Sequence, residues 1–108
     1  SSDNDEWEIL YVSTVDHVFS YRIGRRGQIE SLVMLDEDSG CESGCCTMSN
    51  EGDMVTATKT GIWFYKPEGK AGCFAFEGKK IMIEWFRTYL VVVSTGIYDL
   101  VKYLLSNS

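Results

Sequence analysis

Four cysteines and a single histidine are the residues of this chain with the widest range of chemistry: Cys41, Cys45, Cys46, Cys73 and His17. Zinc sites in proteins usually draw their thiolates from paired C-x-x-C motifs. Here the spacing is C-x-x-x-C-C, and neighbouring residues on a strand point to opposite faces. A hydrolase using Cys46 or Cys73 with His17 would also need a third, orienting group. We therefore predict no metal, no cofactor and no catalytic residue, so that the chain is not an enzyme.

The expected places of these five residues are structural. We expect His17 in a turn, Cys41 in a loop, Cys45 or Cys46 in the core, and Cys73 packed as a small hydrophobe. An even number of cysteines also permits two disulfides with three pairings. The alternative function is therefore a small independent β domain, stabilised by disulfides or zinc, that binds an extracellular ligand or receptor.

The acidic residues favour solvation over catalysis. Acid–base chemistry needs two carboxyl groups facing one cleft, whereas Asp36, Glu37 and Asp38 form a charge run in the loop DEDSGCESG (36–44). We expect this loop at the surface, with its acids in water. The net charge of −6 and the isoelectric point near 4.6 also argue against nucleic acid as a partner.

Arginines and aromatics supply the candidate partner contacts. Arg22, Arg25 and Arg26 form a small basic patch at the turn GRRG (24–27), which could contact an acidic partner or a lipid headgroup. Trp85 and Phe86 adjoin Arg87, and these residue types are enriched in interface hot spots. Alternation along FEGKKIMIEWFRTYLVVVS (76–94) predicts that its aromatics mainly pack between sheets.

Period-two patterning dominates the chain and predicts an all-β fold, with residues 1–108 as a single β domain. Predicted hairpins join 8–14 to 17–23 and 54–59 to 62–66, and a further strand is expected over 73–76 after the punctuating PEGKAG (67–72). The apolar run 89–93 should form a central strand covered on both sides. At five residues it is too short to cross a bilayer, and the acidic start SSDNDE has no signal-peptide pattern, so the chain is expected to be soluble.

An internal repeat extends this prediction. HVFSYR (17–22) aligns with GIWFYK (61–66) at an offset of 44, and Gly96-Ile97 aligns with Gly61-Ile62 at an offset of 35. Repeats of this length with four short strands per unit are typical of propeller blades. The chain should hold two to three antiparallel four-stranded blades of a WD40-like β-propeller, an incomplete ring. Helical spacing in YDLVKYLLSN (98–107) leaves a short C-terminal helix as the alternative for the tail.

The segment 73–94 resembles a known family. CFAFEGKK followed by WFRTYLVVVS is similar to the N-terminal propeller of the vacuolar protein sorting-associated protein 11 family, in which CFAFEG precedes WFR-x-YL-x-x-VS. IWFYKPEGKAG (62–72) and IYDL (97–100) extend the resemblance to about 40 residues. Ala71-Gly72 stands where the family more often has Gly-Pro, and the loop between VS and IYDL is almost absent.

The resemblance implies a scaffold without catalytic residues. The family forms the shared core of the HOPS and CORVET complexes, which tether late endosomal, lysosomal or vacuolar membranes. The implied partners are therefore other subunits of a tethering complex, and the implied location is cytoplasmic, peripheral on those membranes through the complex only. The apolar faces of an incomplete propeller also predict self-association of the isolated chain.

Overall fold

The computed structural model describes residues 7–94 and the backbone of residues 97–102, and these residues form ten strands in three antiparallel sheets. We call the sheets blade 1, blade 2 and blade 3. Blade 1 contains β1 (Trp7–Ser13), β2 (Val18–Gly24) and β3 (Ile29–Asp36). Blade 2 contains β4 (Cys46–Met48), β5 (Met54–Ala57), β6 (Gly61–Lys66) and β7 (Gly69–Ala75). Blade 3 contains β8 (Lys80–Phe86), β9 (Tyr89–Ser94) and β10 (Ile97–Lys102).

This all-β arrangement confirms the predicted fold class, an incomplete set of propeller-like blades. Strands that follow each other in sequence are neighbours in each sheet, as in a meander. Blade 2 is the complete four-stranded unit. Blade 1 has the counterparts of its last three strands, and the described part of blade 3 has the counterparts of its first three.

The repeat predicted from the sequence holds for the first two copies. Thr14 N–H donates to the carbonyl of His17, and Thr58 N–H donates to that of Gly61, both at 2.9 Å, so the two hairpins correspond at the predicted offset of 44. The third copy differs. Ser94 pairs with Ile97 across its hairpin, which makes these residues the counterparts of Thr58 and Gly61 and gives an offset of 36. The prediction of 35 was wrong by one residue, and on a strand one residue exchanges the two faces.

Two other sequence predictions change at the strand ends. β7 begins at Gly69, because the connection after β6 is a two-residue turn at Pro67 and Glu68. The prediction started this strand at Cys73, since Gly-Lys-Ala-Gly lacks the β-branched residues that usually indicate a strand. In the tail, Ile97–Lys102 is a strand, so the helical alternative is wrong over that range. Residues 103–107 of the tail prediction lie outside the described residues.

Two apolar cores lie between neighbouring blades and pack them together. Between blades 1 and 2 the buried residues are Val18, Leu35, Met54 and Tyr65. Between blades 2 and 3 they are Cys45, Val55, Ala57, Ile62, Phe64, Ile83, Leu90 and Val92. Successive side chains on a strand point to opposite faces, so β5 sends Met54 into one core and Val55 into the other. β5 is consequently buried at all four positions.

Side-chain hydrogen bonds to backbone carbonyls also join blade 1 to blade 2. Tyr11 donates its hydroxyl to the carbonyl of Gly52 at 2.9 Å, and Ser20 donates to that of Pro67 at 2.8 Å. Burial, together with the nearby Asp53 and Glu68 carboxylates, raises the pKa of Tyr11 to about 12. The tyrosine therefore stays a donor throughout the neutral range.

β9 is the central strand of blade 3, as predicted, with β8 on one side and β10 on the other. Leu90 and Val92 are fully buried against blade 2. Tyr89, Val91 and Val93 point the other way and are half-buried. The predicted cover on both sides is thus complete on one face and partial on the other, since the described residues include no sheet beyond blade 3.

Candidate protein-interaction surface

The blades have two ends of different character. At one end, the inter-blade connections and hairpin turns form a half-open cavity of about 370 Å³, lined by residues of the segments 38–42, 57–59 and 79–80 and by Val15 and Cys45. We call this the cavity end. The opposite end carries the β2–β3, β4–β5, β6–β7 and β8–β9 turns, because antiparallel neighbours alternate in direction. We call it the turn end, and it carries most of the predicted contact residues.

The basic patch lies in the β2–β3 turn, at the turn end. Gly27 adopts a φ of 85°, a backbone conformation that glycine adopts far more readily than other residues. Its N–H donates to the carbonyl of Gly24 at 2.9 Å. This geometry holds Arg25 and Arg26 at the tip, where both are exposed. Arg22 has a different role, because its guanidinium lies 4.1 Å from the centre of the Trp7 ring. Of the three arginines, Arg25 and Arg26 are thus exposed, whereas Arg22 packs on an aromatic ring.

The aromatic pair predicted in β8 is divided between core and solvent. Trp85 is half-buried against the core between blades 2 and 3, as the packing interpretation expected. Phe86 is 58% exposed, so packing between blades does not account for it in this chain. The Arg87 guanidinium lies 5.3 Å from the centre of the Phe86 ring. Arg87 is the first of the two residues of the β8–β9 turn, and it adopts a φ of 60°.

Asp36 is buried, which corrects the prediction that it belongs to a solvated charge run. It is the last residue of β3 and 4% exposed. One carboxylate oxygen accepts from the Tyr65 hydroxyl at 2.8 Å, and the other accepts from the N–H groups of Asp38 and Ser39 at 3.0 and 3.1 Å. Glu37 and Asp38 are exposed, as predicted. Period-two counting missed Asp36 because its partner lies in another blade.

The environment of Asp36 sets its charge state. Burial alone would raise the pKa of this carboxyl, but hydrogen bonds from Tyr65, the Asp38 N–H and Lys70 outweigh it and hold the pKa below its usual value. On the other side of the bond, burial and the Asp36 carboxylate raise the pKa of Tyr65. Asp36 thus remains ionised, and it anchors the loop that lines the cavity.

Lys80 is a second buried charge, and no sequence pattern indicated it. It is 4% exposed, and its ammonium group donates to the carbonyls of Thr58, at 2.7 Å, and Phe76. Desolvation lowers the pKa of this lysine, although the Glu77 and Cys45 side chains act in the opposite direction. Lys80 therefore links the β5–β6 turn to the β7–β8 connection at the cavity end. Its ammonium group has a structural role there, because both of these hydrogen bonds are to backbone carbonyls. The remaining lysines there, Lys59 and Lys79, are exposed.

The four cysteines are free thiols. Cys45 is the buried one of the adjacent pair and contacts the Lys80 carbonyl at 3.4 Å, whereas Cys46 is exposed. Cys73 is exposed as well, so its predicted packing was wrong. It lies on the blade 2 edge strand β7, which has no further strand beside it in this sheet.

The metal, disulfide and nucleophile alternatives gain no support from the geometry. Within residues 7–94 and 97–102, no three His, Cys, Asp or Glu side chains are grouped to hold a metal ion. The His17 ring lies at the β1–β2 turn, 5.8 Å from the centre of the Phe19 ring. The disulfide- or zinc-stabilised extracellular domain is not the favoured function.

Cys46 should be the most reactive thiol of this chain. A hydrogen bond from the Cys41 thiol lowers the pKa of Cys46 to about 7, although partial desolvation of the Cys46 sulfur acts in the opposite direction. Because the thiolate is the nucleophile, we expect iodoacetamide at pH 7 to modify Cys46 before Cys73. Cys41→Ala removes the donor and should slow modification of Cys46 roughly tenfold, since the thiolate fraction falls. Peptide mass spectrometry over time measures both rates; Cys73→Ala is the control, and an unchanged Cys46 rate in Cys41→Ala would contradict the assignment.

A family model decides what kind of protein this surface belongs to. The model described as PEP5/VPS11 N-terminal matches residues 2–99 of the chain. This chain belongs to the PEP5/VPS11 family. The match spans most of the sequence and includes blades 1 and 2 and all of blade 3 except the last three residues of β10, so the family likeness extends well beyond the segment 73–94.

Curated relatives of the family agree with this assignment. The Dictyostelium discoideum protein named vacuolar protein sorting-associated protein 11 homolog is 36% identical over 85 residues, which is 79% of this chain and 8% of the relative. Its human namesake is 35% identical over 79% of this chain and 9% of its own length. An Arabidopsis thaliana homolog is 35% identical over 93% of this chain and 11% of its own length.

The chain therefore spans about a tenth of the length of these relatives. No solved structure matches the chain. Across the part of the chain that the structure describes, no helix has both the length and the apolar character to cross a membrane.

Proposed function

We propose that this chain is a non-enzymatic, protein-binding module of a membrane-tethering complex in vacuolar protein sorting. Membership of the PEP5/VPS11 family and the names of the relatives support this role. Residues 1–108 act as one β unit that joins the other subunits of a HOPS- or CORVET-type complex. The chain is cytoplasmic and reaches the late endosome, lysosome or vacuole as a peripheral component, through those subunits.

The observation that carries the proposal is the exposure of arginine and phenylalanine side chains at the turn end. Arg25 and Arg26 lie at the tip of the β2–β3 turn and are exposed, and Phe86 is 58% exposed beside Arg87. Arginine and aromatic residues supply most hot spots of protein interfaces. On a chain with a net charge of −6, a local cluster of cations favours a partner surface that is acidic with an apolar pocket.

Arg22 and Trp85 support this surface from behind. Arg22 packs on Trp7, close to the base of the basic turn, and Trp85 fixes the end of β8 against the core. Neither needs to reach the partner, because each holds a neighbouring contact residue in place. The mechanism is surface complementarity without turnover.

A binding titration with matched charge reversals tests the proposal. The chain is titrated against the purified remaining subunits of a HOPS complex by biolayer interferometry. The double variant Arg25→Glu/Arg26→Glu should weaken binding at least roughly tenfold, because both charges then repel an acidic partner. Phe86→Ser should also weaken it, through loss of an apolar anchor.

The control places the same charge change at the other end of the blades. Lys59→Glu/Lys79→Glu reverses the charge of two exposed lysines at the cavity end. This variant should leave the affinity within about twofold, because exposed charges far from an interface contribute little to the binding energy. Equal loss in both double variants would point to net charge alone and contradict the assigned surface. Absence of binding by the unmodified chain would contradict the function itself.

A further inference from the structure

Two thiols, those of Cys41 and Cys46, lie side by side at the cavity end of blade 2. A β-turn separates them in sequence, and it is closed by the Cys45 N–H, which donates to the Glu42 carbonyl at 3.0 Å. Gly44 has a φ of 86°, the positive value that the third residue of a type II turn requires. The turn folds the chain back, and the Cys41 and Cys46 side chains are hydrogen-bonded to each other.

Neighbouring groups hold Cys41 in place, whereas Cys46 is open to solvent. The Cys41 N–H donates to the Thr14 carbonyl at 2.9 Å, and its sulfur lies 3.3 Å from the Ser13 hydroxyl oxygen. The Cys41 side chain also packs against the core between blades 2 and 3 and lines the half-open cavity. Cys46 begins β4, where it pairs with Thr56, and it is exposed. A small reagent can therefore reach a thiol that has a second thiol beside it.

The other two cysteines are placed differently. Cys45 is 1% exposed, and its sulfur contacts the Lys80 carbonyl at 3.4 Å. Cys73 lies on β7, at the opposite edge of blade 2 from β4. Three strand spacings, or roughly 14 Å, separate these two edges. Burial thus keeps Cys45 from solvent, and the width of the sheet keeps Cys73 from the thiol pair.

The contact between Cys41 and Cys46 makes the two sulfurs unequal. The Cys41 thiol donates to the Cys46 sulfur and lowers the pKa of Cys46 to about 7, so a large fraction of Cys46 is thiolate at neutral pH. The same contact, together with burial, raises the pKa of Cys41, which remains a thiol. Peroxides oxidise thiolates to sulfenic acids, and a sulfenic acid beside a second thiol condenses to a disulfide.

We propose that Cys41 and Cys46 form a peroxide-reactive pair that is oxidised to a reversible disulfide within the chain. The Cys46 thiolate attacks hydrogen peroxide, so that an S–O bond forms, the O–O bond breaks, and hydroxide leaves and takes up a proton. The Cys41 sulfur then attacks the Cys46 sulfenic acid, so that the S–S bond forms, the S–O bond breaks, and the hydroxyl leaves as water with the Cys41 proton. Two thiols and one peroxide give one disulfide and two waters. Glutathione reverses the reaction by thiol–disulfide exchange and is itself oxidised to its disulfide.

This modification site goes beyond the proposed function, because it lies at the cavity end and the proposed partner contacts lie at the turn end. Both sulfurs belong to one segment of six residues, so the disulfide needs no second copy of the chain. It would tie the start of β4 to the segment 38–42, which lines the cavity. Disulfides of this kind in reducing compartments are usually transient.

Disulfide mapping after mild oxidation tests the proposal. The chain is treated at pH 7 with a small excess of hydrogen peroxide, alkylated with iodoacetamide, and cleaved after glutamate without reduction. Cleavage after Glu42 separates the two cysteines, so the peptides 38–42 and 43–51 should stay joined until a reductant is added. The paired thiols should be lost at least roughly tenfold faster than the Cys73 thiol, because Cys46 supplies a thiolate. Glutathione should then restore all four thiols.

Cysteine variants identify the partners. Cys41→Ser and Cys46→Ser should each abolish the joined peptides, whereas Cys73→Ser and Cys45→Ala should retain them. In Cys41→Ser, the Cys46 sulfur should proceed to the sulfinic acid, since no thiol beside it traps the sulfenic acid.

The remaining outcomes each overturn the proposal. Joined peptides that persist in Cys46→Ser would assign the bond to Cys45. A bond to Cys73, or a disulfide-linked dimer on a non-reducing gel, would place the reactive thiols elsewhere. Four free thiols after the peroxide treatment would show that the pair is not reactive. Mapping of the unmodified chain decides this last point even where circular dichroism shows that a variant is unfolded.

Discussion

Leu90→Ala is expected to lower the free energy of unfolding by about 3 kcal/mol. Leu90 lies on the central strand of blade 3 and has no exposed surface. It packs with Ile83 and Val92 on the core that holds blade 3 against blade 2. The substitution removes buried apolar surface and leaves a cavity that the two sheets cannot fill, because both contribute backbone that is fixed by strand pairing.

Urea denaturation, at a protein concentration where the chain is monomeric, measures this loss. Leu32→Ala is the matched control, since it deletes the same atoms from a side chain that is 54% exposed, and it should change the stability by less than about 0.5 kcal/mol. Similar losses in the two variants would mean that the blades do not share the core described above.

Asp36→Ala is expected to lower the free energy of unfolding by about 2–3 kcal/mol. The variant leaves the Tyr65 hydroxyl and the N–H groups of Asp38 and Ser39 without their acceptor. Tyr65 is fully buried, so water cannot replace the lost partner. The ion pair with Lys70 adds little, because the lysine side chain is 50% exposed. Urea denaturation again provides the measurement.

Glu37→Ala serves as the control for Asp36, because it removes one carboxylate from the adjacent, exposed position. Its effect should stay within about 0.5 kcal/mol. The pH dependence has a definite sign. The folded pKa of Asp36 lies below the ordinary carboxyl value, so its contribution is complete above that value and is lost as the pH falls through the folded pKa. The difference in stability between the unmodified chain and Asp36→Ala should therefore shrink at acid pH. A constant difference would contradict the ionised, hydrogen-bonded carboxylate.

Local patterning predicted most of the fold. Alternation and two-residue turns located the hairpin of β1 and β2, the hairpin of β5 and β6, and the central position of β9. These features depend on neighbours in sequence, which is the information that a period of two contains. The same pattern failed at β7, where glycines and a lysine form a strand because β6 pairs with them.

Contacts between blades could not be predicted in this way. Asp36 and Lys80 look like ordinary charges in polar segments, yet each is buried by partners from another strand or connection. The third copy of the repeat shows the same limit, since Gly96 and Gly61 look equivalent but the pairing of Ser94 with Ile97 fixes a different register. Of the candidate contacts, exposure separates Arg25, Arg26, Phe86 and Arg87 from the packed Arg22 and Trp85. Sequence order alone contains no such information.

The claim that three stacked blades form a folded unit is tested most directly by native-state hydrogen exchange of the amides in β9. The strand lies between β8 and β10, and Leu90 and Val92 are sealed against blade 2. The amides of residues 89–93 should therefore be among the slowest to exchange, with protection close to that of the buried strand β5. Exchange of the β9 amides as fast as that of the exposed turn at Arg25 and Arg26 would contradict the stack.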